Sequence, residues 1–155
     1  MTKQKSFQRS TTLFLSLIII GLFAIVTSCN NDDHSVYPVT HKVVYKAEGS
    51  AGINITSAEY NDEPGSADFI IVKNINSNVW ASPEITSVIS VGVGKPLAVD
   101  AVLRINATGA DDSSTLKVQI YVDGVLKKEV VTTGVDLKTE TKYNIEYKID
   151  WYVHC

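Results

Sequence analysis

Strict alternation of apolar and polar residues is the feature that most constrains how this 155-residue chain can fold. The segment Thr115–Val122 (TLKVQIYV) has an apolar residue at every second position, and residues 142–153 (KYNIEYKIDWYV) repeat the pattern. Because successive side chains of a β-strand point to opposite faces, both segments are predicted to be half-buried strands. In the second segment, we expect Tyr143, Tyr147 and Trp151 to belong to the core.

Six more strand-like segments follow residue 40, with turn residues between them. They span residues 41–47, 52–58, 68–73, 85–91, 97–106 and 125–132. No segment after residue 28 combines helical periodicity with sufficient length and a start signal. About seven or eight short strands at this spacing predict an all-β fold, an antiparallel β-sandwich, over residues 41–155.

Residues 121–131 (YVDGVLKKEVV) predict a β-hairpin, for which two registers compete. A two-residue Asp123-Gly124 loop would place Ile120 opposite Lys127 and mix charge into the apolar face. A three-residue loop with a left-handed Gly124 would instead place Ile120 opposite Leu126. We therefore predict the three-residue loop.

The first 28 residues differ in character from the strand-rich part of the chain. Lys3, Lys5 and Arg9 give a positive start, and the apolar run that follows (residues 13–26, LFLSLIIIGLFAIV) has 14 residues. A membrane-spanning helix needs about 20 apolar residues. The segment is therefore predicted to be a secretory signal peptide, and an uncleaved signal anchor is the alternative.

The stretch Val26-Thr27-Ser28-Cys29 resembles the lipobox of bacterial lipoproteins, in which small residues precede the cysteine that is alkylated. The resemblance implies that residues 1–28 are removed, that Cys29 becomes the lipid-bearing first residue, and that its acyl chains hold the protein in the membrane. It places the protein in the bacterial cell envelope, at the outer membrane, on either the periplasmic or the surface face.

Residues 29–40 are polar, contain Pro38 and show no periodicity, so they are predicted to be the lipidated cysteine and a flexible tether. Asp32 and Asp33 resemble the acidic export signals of surface lipoproteins of Bacteroides-like bacteria, and solvated linker charge is the alternative. With Cys29 alkylated, Cys155 has no partner in its own chain and is predicted to be a free thiol or to form an intermolecular bridge.

The charge balance argues against nucleic acid as a partner. Three of the 14 basic residues precede Cys29 and all 17 acidic residues follow it. The processed chain therefore carries 11 basic against 17 acidic residues, a net charge of −6. A domain of this charge without a stripe of Lys and Arg is a poor nucleic-acid binder.

The stretch VQIYVDGVLKKEVVTTG (residues 118–134) is similar to the strand–turn–strand of the mycobacterial membrane protein small (MmpS) family. Residues 43–60 resemble that family's opening, and Trp80 with residues 88–99 resembles its central segment, so the similarity covers residues 43–134. It implies an immunoglobulin-like β-sandwich in the cell envelope, and members of the family assist lipid-exporting transporters. This chain has a lipobox where the family has a membrane helix, and lacks its cysteine pair, so no functional residue is carried over.

The sequence contains no constellation that indicates catalysis. The only histidines are His34, His41 and His154, and none belongs to a nucleophile motif. The acidic pairs Asp62-Glu63 and Asp111-Asp112 lack the alternating ligands and glycine of a calcium loop. We therefore predict that the protein is not an enzyme and holds neither a metal nor a cofactor.

Two aromatic residues, Trp80 and Tyr60, are the candidate ligand contacts because exposed rings form binding platforms. A tryptophan buried between two sheets is the competing interpretation of Trp80. The sequence as a whole predicts a non-catalytic, lipid-anchored interaction module, accessory to a membrane complex or transporter. The alternative is a surface lipoprotein that captures a glycan or another ligand.

Overall fold

The computed structural model describes residues 36–92, 94 and 96–148, and these residues form nine β-strands. The strands are β1 (Val36–Gly49), β2 (Asn54–Asn61), β3 (Phe69–Ser77), β4 (Val79–Ala81), β5 (Ile85–Gly92), β6 (Leu97–Thr108), β7 (Thr115–Val122), β8 (Val125–Thr133) and β9 (Asp136–Tyr147). All their pairings are antiparallel. The described residues contain no helix, and the predicted all-β, immunoglobulin-like antiparallel β-sandwich is confirmed.

The nine strands make two sheets. In the first, β1 pairs with β7 along one side and with β4 and β5 along the other, and β8 extends the sheet beyond β7. The second has the order β3-β2-β6-β9. Between Ser82 and Glu84 the chain leaves the ladder, but the Ser82 hydroxyl still accepts a 3.0 Å hydrogen bond from the Tyr45 amide. This bond keeps β4 and β5 along one continuous edge.

The core lies between the sheets, where the inward side chains of both meet. Its largest fully buried members come from β1, β2, β6, β7 and β9, and include Tyr45, Ile55, Leu103, Leu116, Ile120, Leu137 and Tyr147. The inward row of β9 also contains two buried threonines, and Thr139 donates a 2.8 Å hydrogen bond to Thr132 of β8. This contact joins the two sheets along one side of the sandwich.

The eight predicted segments correspond to eight of the strands, but most boundaries differ, and β1 and β9 begin five and six residues before their predicted starts. β1 begins at Val36, inside the predicted tether, because residues 36–40 pair with β5. β9 begins at Asp136, where residue 142 was predicted, because Thr139 and Thr141 follow Leu137 in its inward row and hide the apolar alternation. The predicted core residues Tyr143 and Tyr147 do face inward, and Trp151 lies outside the described residues. The short β4 was not predicted.

The predicted register of the β7–β8 hairpin is wrong. Val122 pairs with Val125, so the loop has two residues, Asp123 and Gly124, both left-handed with φ of 53° and 75°. Such a turn matches the twist of the flanking strands. A β-bulge between Ile120 and Tyr121 then moves the register by one residue. It places Val118 opposite Val130 and so restores apolar pairing without a longer loop.

Candidate functional site

The structure brings Trp80 and Tyr60 together, with ring centroids 5.5 Å apart. Trp80 is the register partner of Ala47, which is 2% exposed, so the indole points between the sheets. Tyr60 is 3% exposed and its ring also packs against Tyr45, at 5.3 Å. Burial raises the pKa of Tyr60. The two residues thus form an aromatic column that joins the sheets, and only Trp80, which is partly buried, reaches the surface.

The outward side chains of β1, β4, β7 and β8 form a surface that we call the Gln119 face. Gln119 lies at its centre and is only 9% exposed, although it points away from the core. Its Nε2 donates a 2.7 Å hydrogen bond to Glu129, and the Tyr121 hydroxyl donates one of 3.4 Å to its Oε1. Lys46 lies 4.6 Å above the Tyr121 ring. Neighbouring side chains therefore hold the Gln119 amide in place.

A depression of about 370 Å³ lies beside Gln119 on this face. Its lining combines charged and apolar side chains with the amide: Lys46, Ala47, Glu48, Val79, Trp80, Ala81 and Gln119. On the same face, the lining residue Val79 and Val131 of β8 are each 54% exposed, and Leu126 of β8 is 42% exposed. The Gln119 face therefore presents apolar surface to solvent next to groups that can form hydrogen bonds.

The outward side chains of β2, β3, β6 and β9 form the opposite surface, the Arg104 face. Arg104 pairs with Glu59 at 2.5 Å and with Glu140 at 2.7 Å, and its guanidinium stacks on Phe69 at 4.7 Å. The hydrogen bond to Glu140, followed by the one to Glu59, raises the pKa of Arg104. Charged groups on this face are largely bonded to one another.

A third ion pair lies on the Arg104 face. Lys142 Nζ lies 2.6 Å from an Asp100 oxygen, and the Asn144 amide donates a 3.2 Å hydrogen bond to the same carboxylate. The bond from Lys142, followed by that from Asn144, lowers the pKa of Asp100. These contacts link β6 to β9 across their outer surface.

His41 and Asp123 form a pair that sequence reasoning missed. His41 Nδ1 lies 2.6 Å from Asp123 Oδ2, and the Lys42 amide donates a 2.9 Å hydrogen bond to Oδ1. Partial burial raises the pKa of Asp123, but the bonds from Lys42 and His41 outweigh it and the net pKa is lowered. The partners are 82 positions apart, so no local motif signals the pair. It fastens the β7–β8 turn to β1.

A serine faces this pair, so its geometry was tested against that of a hydrolase. Ser87 is the register partner of His41, and the Tyr147 ring packs edge-on against the imidazole at 4.7 Å. Both Ser87 and Tyr147 are 0% exposed. A nucleophile must be reachable by its substrate, so these residues serve as packing beneath His41 in this structure.

The acidic loop residue Asp111 is hydrogen-bonded within its own turn. Asp111 accepts hydrogen bonds from the Ser113 hydroxyl, at 2.7 Å, and from its amide, at 2.8 Å. Those bonds lower the pKa of Asp111, and its carboxylate stabilises the turn. Across the described ranges, no three His, Cys, Asp or Glu side chains are grouped as metal ligands would be.

The predicted lipidation residue Cys29 and the terminal Cys155 lie outside the described residues, as do His34 and His154. Within residues 36–92 and 96–148, no helix has the length and apolarity needed to cross a membrane. No protein-family model matches the chain, and no curated protein matches it significantly.

Proposed function

We propose that this protein is a non-catalytic, lipid-anchored lipoprotein of the bacterial cell envelope whose β-sandwich is an interaction module for a membrane complex. The anchor rests on the N-terminal sequence: a positive start, a 14-residue apolar run, and small residues before Cys29. On this proposal Cys29 carries the acyl chains, and the domain acts at the outer membrane.

The observation that carries the interaction role is the exposed apolar surface of the Gln119 face. Val79 lines the depression beside Gln119, Leu126 and Val131 lie on β8 of the same face, and the three side chains are 42% to 54% exposed. Exposed apolar patches with a polar rim are typical of protein interfaces, and charged groups are scarce at the centres of such patches. The Gln119 face therefore supports docking of an envelope protein.

The anchor is tested by replacing the alkylated thiol. Cys29→Ala should abolish palmitate incorporation and leave the precursor uncleaved, because alanine has no thiol with which to form the thioether. Cys155→Ser is the matched control and should be labelled like the unmodified protein. Palmitate labelling that persists in Cys29→Ala would contradict the anchor.

The docking face is tested by photo-crosslinking in intact cells. A benzoylphenylalanine in place of Tyr121 keeps an aromatic ring on the Gln119 face, and the same residue in place of Lys138 probes the Arg104 face. We expect a discrete crosslinked partner from position 121 and none from position 138. Equal crosslinking at both positions would argue against a defined docking face.

Capture of a glycan is the second candidate, and the depression is the observation that favours it. Its volume of about 370 Å³ suits one or two sugar rings, and it combines apolar Val79 and Ala81 with the Gln119 amide. Binding on a glycan array that Gln119→Arg abolishes, together with no crosslinked protein at position 121, would favour this candidate over the first.

A further inference from the structure

The edge strand β3 presents an unusually apolar run to solvent. Among the described residues β3 pairs only with β2, and its first four residues are Phe69, Ile70, Ile71 and Val72. Ile70 is 41% exposed and Ile71 is 58% exposed. The unpaired N–H and C=O groups of such an edge are a template for another strand.

The other described edges carry protection that residues 69–72 of β3 lack. β8 has three consecutive charged residues, Lys127, Lys128 and Glu129, next to its bulge. On β9 the outward positions from Asp136 to Lys142 all hold charged side chains, and the inward Thr139 is bonded to Thr132 of β8 in the facing sheet. β5 exposes a single large apolar side chain, Val88. Charges and bulges normally block edge-to-edge pairing, so β3 is the described edge best suited to it.

The pairing of β3 with β2 determines which residues of β3 point their backbone N–H and C=O groups toward the free edge. The Asp62 amide donates to the Asp68 carbonyl at 3.4 Å, and the ladder is regular from there to Ser57. Bonded and non-bonded pairs alternate in an antiparallel ladder, so Ile70 points its backbone groups at β2. The groups of Phe69, Ile71 and Lys73 therefore face the free edge.

We propose that β3 forms an antiparallel ladder with β3 of a second copy of this chain. A twofold axis at Ile71 makes that residue face its counterpart, and places Ile70 opposite Val72 and Phe69 opposite Lys73 of the second copy. The residues whose backbone groups face outward then meet each other, as the ladder requires. One strand satisfies both sides of the contact, which is the condition for an isologous dimer.

The charges and bends at the ends of the run fit the same arrangement. Antiparallel pairing brings Lys73 of one copy within one position of Asp68 of the other, whereas a parallel pair would bring like charges together. Beyond Lys73, Asn74 and Asn76 are left-handed, with φ of 57° and 51°. These bends end the straight part of the strand, so the ladder stops after Lys73.

Disulfide trapping in membranes from cells that make the full chain tests the proposal. The variant Ile71→Cys is made in a Cys155→Ser background. In the dimer, the Cα atoms of the two substituted positions would lie about 5.5 Å apart, which is within the Cα–Cα range of a disulfide. We expect mild oxidation to convert most of that variant to a species of twice the mass. Val131→Cys, on an edge strand of the other sheet and 54% exposed, is the matched control and should react several-fold less.

A second variant tests the contact without a new thiol. Ile71→Glu places two carboxylates opposite each other, so an amine-reactive crosslinker should no longer capture the dimer, while circular dichroism keeps its β signature. Equal disulfide yields at positions 71 and 131 would overturn the proposal. So would an Ile71→Cys product that contains a different protein in place of the second copy.

Discussion

The two outer faces of the sandwich are built by the same alternation of side chains, yet they use their polar groups differently. On the Arg104 face, Glu59 and Glu140 bond to Arg104, and Asp100 bonds to Lys142, all within 2.7 Å. On the Gln119 face the ion pair beside the depression, Lys117 with Glu48, is 3.9 Å long, and apolar side chains lie exposed between the charges.

The two faces therefore differ in how far their charged groups are already paired with one another. Ion pairs on the Arg104 face connect three neighbouring strands and leave few charged groups for a partner. The Gln119 face keeps apolar surface in water, which costs free energy that a partner would recover on binding. Four substitutions test this contrast, in order of decreasing expected effect.

The largest effect should come from Trp80→Ala, because the indole joins the two sheets through Tyr60 and both faces depend on that contact. Loss of a packed tryptophan that is partly exposed should lower the free energy of unfolding by about 2–4 kcal/mol. Urea denaturation followed by circular dichroism measures it. A loss below about 1 kcal/mol would instead indicate a ring free to serve as a platform, and Trp80→Phe should recover part of the loss.

A smaller loss is expected from Asn61→Ala on the Arg104 face. Asn61 is 2% exposed, accepts a 2.6 Å bond from the Val102 amide and donates a 2.9 Å bond to the Ser66 carbonyl. Leaving those buried groups unpaired should cost about 1–3 kcal/mol. Gln119→Ala is the matched control, since its partner Glu129 can turn to solvent. Equal losses for the two variants would remove the contrast between the faces.

Arg104→Met should have a still smaller effect, because the ion pairs that it removes are on the surface. We expect a loss of up to about 1 kcal/mol, which 1 M salt should reduce. Lys117→Met on the Gln119 face breaks the long pair with Glu48 and should change the unfolding midpoint less. A larger loss for Lys117→Met would reverse the assignment of the two faces.

The smallest effect is a pH dependence at Asp100. Its pKa is lowered by Lys142, so the carboxylate adds stability above the unfolded aspartate pKa of about 3.9 and loses it as the pH falls through the folded pKa. Asp100→Asn should therefore be less stable than the unmodified protein at pH 7, and the difference should shrink at pH 3. Denaturation at both pH values measures it, and a difference that grows at low pH would contradict the sign.

The fold was largely predictable because alternation is a local property of the sequence. The eight predicted segments match strands wherever apolar residues fill the inward row. The start of β9 was missed because Thr139 and Thr141 occupy that row. Threonine is found both in cores and on surfaces, so the sequence did not show that these side chains point inward. The predicted hairpin register was wrong because a β-bulge shifts the strand pairing by one residue. Neither of the two simple loops includes a bulge.

The candidate site was less predictable because it depends on contacts between distant positions. Trp80 and Tyr60 were singled out as rings, but only the pairing of Trp80 with Ala47 directs the indole inward. The centre of the exposed surface, Gln119, is an ordinary polar position in an alternating strand. Gln119 lies beside a depression because β4, the short strand that was not predicted from the sequence, forms one wall of it.

The position of β1 at the centre of the first sheet has a mechanical consequence. β1 is the first described strand, and it is held by β7 on one side and by β4 and β5 on the other. A pull transmitted from the chain before Val36 would act along the length of β1 and load both ladders in shear. Hydrogen bonds loaded in shear share the force, whereas those of a terminal edge strand would open one at a time. The strand nearest the proposed anchor is thus the one that the sheet holds best against tension.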